Sequence, residues 1–204
     1  MAKKNGKEEK KLSYVQELKK LKEGGPQRLY LMYGPEDYLR EQFLLALKNV
    51  CIPEGEDSFS FKRLDGPELD GTELAEAIDA VPFMTERSFV EVRGVDINKL
   101  KNADEYIKIL SDIPDYCTVA FVQSAQFEPD GRLKLIKAMK EKGCELRFTQ
   151  QSQGQLVDWI SRRFAAAGKS VDFEAVQRLI FISGDLMNKL IPEIEKVAAY
   201  AKDS

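Results

Sequence analysis

The chain has 204 residues, 43% apolar and 32% charged, with a formal net charge of −3, enough for one large domain with a real core plus a smaller one. No apolar stretch approaches the ~20 residues of a membrane span and no signal-peptide pattern is present, so a soluble, cytoplasmic protein with no membrane partner is expected. The lack of any histidine excludes Ser-His-Asp and Cys-His catalysis and removes the commonest metal ligand, and Cys51, Cys117 and Cys144, with no C-x-x-C among them, read as buried thiols of a reducing compartment.

Residues 1–12 form a basic tail, with five Lys against two Glu between positions 3 and 11, expected to be solvated and disordered. Positions 151–204 balance, which leaves 19 basic against 25 acidic groups over 12–150; an acidic body of this kind is a poor grip for duplex DNA. Helical spacing of Tyr14, Val15, Leu18 and Leu21 runs from Ser13 to Lys22 and stops at Gly24-Gly25-Pro26. A strand follows at Arg28–Tyr33, then a helix at Tyr38–Val50 with Leu39, Phe43, Ala46, Leu47 and Val50 on one face, closed by Pro53-Glu54-Gly55. Ser58–Arg63 alternates as a half-buried strand. A helix from about Thr72 carries an apolar stripe of Leu74, Ala77, Ile78 and Val81 and ends at Pro82.

Beyond it lie a strand at Ser88–Arg93, a helix near Asp104–Leu110 and a buried strand at Thr118–Val122. A helix starting at Asp130-Gly131 turns Leu133, Ile136 and Met139 inward and Arg132, Lys134, Lys137 and Lys140 outward, with Gly143 as its cap and Glu145–Phe148 as a fifth strand. Strands separated by helices imply an α/β fold, a mostly parallel sheet covered on both faces. After Gln150 only helices follow: Leu156, Trp159, Ile160 and Phe164 share a face, Gly168 ends that helix, Asp172 caps the next, and Gly184-Asp185 precedes a third in which Pro192 predicts a kink or restart. The expected organisation is a body over 13–150 and a three-helix module over 151–204, with Trp159 packed inside the module.

Gly34 directly follows the first strand, where a phosphate-binding loop G-x-x-x-x-G-K-[ST] would begin. Over Gly34, Pro35, Glu36, Asp37, Tyr38, Leu39, Arg40 and Glu41, the second Gly is Leu39, the Lys is Arg40 and the Mg²⁺-holding hydroxyl is Glu41. Glu36 and Asp37 add negative charge that would repel a triphosphate. The same residues also read as a capped turn of no functional meaning. The buried strand Thr118–Val122 runs into Gln123-Ser124-Ala125-Gln126, without the carboxylate that Mg²⁺ chemistry needs. No catalytic residue, cofactor or metal is expected, and the chain is read as not an enzyme by itself.

Together with the order of elements, Leu31-Met32-Tyr33-Gly34-Pro35-Glu36-Asp37-Tyr38-Leu39, the segment Ala80-Val81-Pro82-Phe83-Met84-Thr85-Glu86-Arg87, and Gly184-Asp185-Leu186 ahead of an amphipathic helix resemble the delta-subunit family of bacterial DNA polymerase III. The resemblance spans about residues 13–202. It implies an AAA+-like, P-loop NTPase-type body lacking a functional nucleotide site, followed by a helical lid. It further implies a clamp-opening role in DNA replication, with the sliding clamp (beta subunit), ATPase-type and delta-prime-type loader subunits as partners and primer-template DNA contacted indirectly. Family members continue into a helical collar domain that this sequence, read as a shortened form, lacks. Phe83 and Met84, two apolar side chains in a surface turn between Pro82 and Ser88, are either core residues folded back on the sheet or, as the resemblance implies, a clamp-binding wedge rimmed by Thr85 and Arg87. The alternatives are an active P-loop-like ATPase or nucleotide kinase, and a free-standing nucleic-acid-binding module.

Overall fold

A computed structural model describes residues 14–53 and 58–201; the expected basic tail and most of the turn at Pro53-Glu54-Gly55 lie outside the described residues. Five strands, β1 (Leu29–Tyr33), β2 (Phe61–Asp65), β3 (Ser88–Arg93), β4 (Cys117–Val122) and β5 (Cys144–Arg147), make one sheet in the order β2-β3-β4-β1-β5. Every pairing is parallel, with Leu31 beside Phe121 and Glu145, and Val90 beside Val119. The continuous apolar runs of β1 and β4, buried along their whole length, need cover on both faces, and helices supply it.

On one face Leu29, Leu31, Val90, Val92, Val119 and Phe121 pack against α3 (Gly71–Asp79), α4 (Ala103–Ser111) and α5 (Lys134–Lys142). On the other, Tyr30, Met32, Phe89, Ala120 and Val122 share one apolar cluster with α1 (Tyr14–Gly24), α2 (Asp37–Cys51) and the three following helices, α6 (Gln153–Ala166), α7 (Phe173–Ser183) and α8 (Met187–Tyr200). Leu156, Ile160, Phe164, Leu190 and Ile194 therefore bury themselves in the same cluster as Phe43 and Leu47 of α2. The stretch before α6 is a capping box: Ser152 Oγ accepts from the Gln155 N–H and the Gln155 side chain accepts from the Ser152 N–H. Asp172 caps α7 through the Ala175 N–H at 2.7 Å.

Several local expectations shift, among them the fifth strand, which runs Cys144–Arg147 rather than Glu145–Phe148. The strand expected at Ser58–Arg63 is a 3-10 turn at Ser58–Ser60 followed by β2 at Phe61–Asp65, because Phe61 pairs with Phe89 and β3 begins only at Ser88. The helix α3 ends at Asp79, two residues short of Val81, since Pro82 disfavours helical backbone in the residue before it; Val81 leaves the stripe and is exposed. On α2, Val50 is exposed, while Arg40 is buried. Asp130–Leu133 forms a turn and α5 starts at Lys134, because the Asp130 carboxylate accepts from the Arg132 N–H at 3.0 Å and bonds its guanidinium. Finally, α8 runs through Pro192 without a restart.

Candidate functional site

Because all strands are parallel, the sheet has two chemically different edges. The turn that leaves β1 at Gly34 lies at the carboxyl-terminal edge, where ligands of open α/β sheets sit. The loop that enters β3 at Ser88 lies at the opposite edge, a strand length away.

At the first edge the chain bonds to itself. Gly34 has φ +117°, and a Cβ there would meet the Phe148 carbonyl oxygen at 2.4 Å, so glycine is required by backbone approach alone. The Glu36 N–H donates to the Phe148 carbonyl at 3.1 Å, and the Phe148 N–H to the Tyr33 carbonyl at 2.8 Å. Arg40, which takes the place of a P-loop lysine, is buried; its Nη1 donates to the Gly34 carbonyl at 2.7 Å and its guanidinium pairs with Asp37. Glu41, at the hydroxyl position, receives two bonds from Arg93 at 2.9 and 2.6 Å. Arg93 also pairs with the buried Glu91. A guanidinium thus stands between two carboxylates, in the manner of a fixed cation.

Glu36 has no exposed surface. Its two carboxyl oxygens accept from the Met187 N–H at 3.3 and 3.4 Å, at the first residue of α8, whose N-cap Leu186 offers no side-chain bond. Burial pushes its pKa up to about 7; Asp37 and Asp185 push the same way, and the Met187 and Tyr38 N–H groups oppose them. Beside it, Arg163 of α6 donates to the Tyr38 hydroxyl at 2.8 Å and lies 4.8 Å from the Trp159 ring, which in turn lies 5.6 Å from the Tyr38 ring. Trp159 is therefore half-buried at the seam between α6 and α2 rather than inside the helical module. Among the described residues, no group of three or more His, Cys, Asp or Glu side chains is placed to hold a metal ion.

At the opposite edge, Phe83 is 67% and Met84 76% exposed, so neither belongs to the core. Met84 has φ +65°, in the left-handed region. Pro82 is half-buried. Thr85 and Arg87 turn inward and are half-buried: Thr85 Oγ1 has the Arg87 carbonyl oxygen 2.8 Å away as one of two acceptors for its proton, and Arg87 Nη1 donates to the Asp115 carbonyl at 3.1 Å. Thr85 Oγ1 also donates to Ser60 Oγ at 2.6 Å, and Ser60 in turn donates weakly to the Phe83 carbonyl at 3.4 Å. Exposed Phe59, next to Ser60, and exposed Val81 extend the apolar surface at this edge.

Sequence reasoning brought Gly34 through Glu41 together because they are contiguous. It missed Arg93, Glu91, Phe148 and Met187, which reach the same edge from β3, β5 and α8. An Arg placed at the tip of a buried strand, two residues after a Glu, was the available signal for the first pair.

The family model described as "DNA polymerase III, delta subunit" matches residues 30–149, more than half of the chain. The DNA polymerase III subunit delta of Bacillus subtilis (strain 168) is 24% identical over 195 residues, covering 91% of this chain and 55% of that protein. Among solved structures, the Bacillus subtilis DNA clamp loader delta protein matches with a TM-score of 0.67 and 20% identity over 94% of this chain and 58% of its own. A DNA polymerase III gamma subunit-related protein from Thermotoga maritima has a TM-score of 0.57 at 12% identity, covering 90% of this chain and 58% of that one. The Thermotoga maritima RuvB Holliday junction branch migration motor has a TM-score of 0.56 at 13% identity, covering 91% and 61%. The chain thus spans just over half the length of the delta relatives it matches, and its sheet and helices have the AAA+-like α/β fold. On the extent of the matched segment, this chain belongs to the DNA polymerase III delta-subunit family.

Proposed function

We propose that this chain is the clamp-engaging part of a clamp-loader delta subunit: Phe83 and Met84 enter an apolar pocket on a ring-shaped sliding clamp and stabilise its open form. The observation that carries the reading is the pair itself, two large apolar side chains held out into solvent on a loop that is otherwise tied down. Filling a pocket with both contributes ~1.5–3 kcal/mol per side chain when fully buried. Opening a ring needs no bond chemistry, only tighter binding to the open state than to the closed one.

The chain itself hydrolyses no nucleotide on this reading. Arg40 is bonded to the Gly34 carbonyl and to Asp37, and Glu41 to Arg93, so triphosphate and Mg²⁺ would have to displace these internal pairs. ATPase-type and delta-prime-type partner subunits supply the timing in the full assembly, and primer-template DNA is reached through that assembly.

The test is surface plasmon resonance against the purified sliding clamp. Phe83→Ala combined with Met84→Ala should lower affinity at least a hundredfold, given ~3–6 kcal/mol for the pair, with the circular-dichroism melt nearly unchanged. Clamp affinity equal to wild type would sink the reading. Calorimetric titration with Mg-ATP should show no binding at micromolar concentration; a micromolar dissociation constant would revive the ATPase or nucleotide-kinase alternative.

A further inference from the structure

Two exposed apolar side chains on a slack loop would lose much of their binding energy to ordering, at about 1–2 kcal/mol for each residue whose backbone must be fixed. The loop at Phe83–Met84 is not slack, and its backbone shows why. Met84 sits at φ +65°, which disfavours any residue with a Cβ and persists only where the surroundings impose it. Neither Phe83 nor Met84 is buried, so their own side chains cannot impose it.

The restraint comes from two hydroxyl groups. Ser60, only 3% exposed at the turn into β2, places its Oγ 2.6 Å from Thr85 Oγ1 and 3.4 Å from the Phe83 carbonyl oxygen. Thr85 Oγ1 donates its single proton to Ser60 Oγ, with the Arg87 carbonyl oxygen 2.8 Å away as its other acceptor. Met84 is thus bracketed: the carbonyl before it and the side chain after it are both tied to one buried serine from another strand connection. Arg87 then fastens the far end of the loop to Asp115 at 3.1 Å. We propose that Ser60 and Thr85 are positioning residues, which hold the Phe83–Met84 backbone in its docking geometry before the partner arrives. The inference rests on the reading of that pair as the clamp anchor.

It predicts a specific kinetic signature. Loss of one hydroxyl bridge lets the loop leave the binding-ready state, so the competent fraction, and with it the association rate, should fall by about five- to tenfold. The experiment measures association and dissociation rates of the purified chain on the immobilised sliding clamp, for wild type, Thr85→Val, Thr85→Ser, Ser60→Ala and the double alanine variant at 83 and 84, each with its thermal melt. Thr85→Val and Ser60→Ala should each slow association by about five- to tenfold with little change in melting, and Thr85→Ser should restore the wild-type rate. Wild-type kinetics in Thr85→Val or in Ser60→Ala, with the double alanine variant inactive, would overturn the positioning role and leave the anchor standing. A Thr85→Ser variant as slow as Thr85→Val would show that the hydroxyl by itself does not hold the loop, and would overturn it equally. Undiminished binding by the double alanine variant would instead remove the anchor, and this inference with it.

Discussion

A carboxyl group with no exposed surface is either neutral or firmly partnered, and Glu36 has backbone N–H groups around it with Asp37 and Asp185 nearby. Its pKa is raised from the ordinary 4.5 to about 7, so the folded state favours the protonated form. The stability it contributes is therefore complete below pH 4.5, declines as pH rises toward 7 and is flat beyond. Glu36→Gln, which keeps the shape and the acceptor for Met187 but carries no charge, should match wild type at low pH and exceed it at pH 8, by on the order of 2–3 kcal/mol. Urea unfolding at both values measures it. A variant less stable than wild type at pH 8 would mean that the ionised carboxylate is held at the N-terminus of α8. From the sequence, Glu36 and Asp37 looked like a matched acidic pair. They differ in the fold, since Glu36 is enclosed while Asp37 is half-exposed and paired with Arg40, and nothing in the local sequence says which of two neighbouring acids α8 will cover.

At the scale of elements, periodicity placed each described α-helix and strand to within a few residues, while it missed the short 3-10 turns at Ser58–Ser60 and Ile97–Lys99. The shifted ends were set by partners: β2 begins where β3 can pair with it, and α5 begins after the Asp130–Arg132 turn releases the chain. Pro192 is the exception, a local breaker overruled by tertiary packing. Leu190 and Ile194 on either side of it are buried, while Asn188, whose carbonyl loses its helical donor to the proline ring, is exposed and open to water. Pro192→Ala should restore that bond and raise the unfolding free energy by ~1–3 kcal/mol, part of the propensity gain being offset by a looser unfolded chain. A variant less stable than wild type in thermal and urea unfolding would show that the proline rigidifies α8.

At the scale of the whole molecule, the three C-terminal helices are not a separate droplet of core. Their apolar faces join the cluster that contains α1, α2 and one face of the sheet, and Glu36, Tyr38 and Arg163 stitch the same seam. Trp159, the single tryptophan of the chain, sits in that seam against Tyr38. Its fluorescence should therefore follow the same urea transition as far-UV circular dichroism, with coincident midpoints. A tryptophan change that precedes the loss of helix would instead show the helical module peeling away before the sheet unfolds.

Composition and residue order alone determined that this is an α/β body followed by helices, with an apolar pair in an expected surface turn and a phosphate-loop position that lacks its lysine and hydroxyl. Those features are local: they depend on period, turn chemistry and side-chain identity within a few residues. Only the tertiary structure decided what surrounds them, because burial and hydrogen-bond partners are long-range properties. The contact of Glu36 with Met187 spans 151 positions and the Arg93–Glu41 pair 52. The Ser60–Thr85 contact spans 25, and parallel strands bring its two halves to one edge because every loop that enters a strand must lie there.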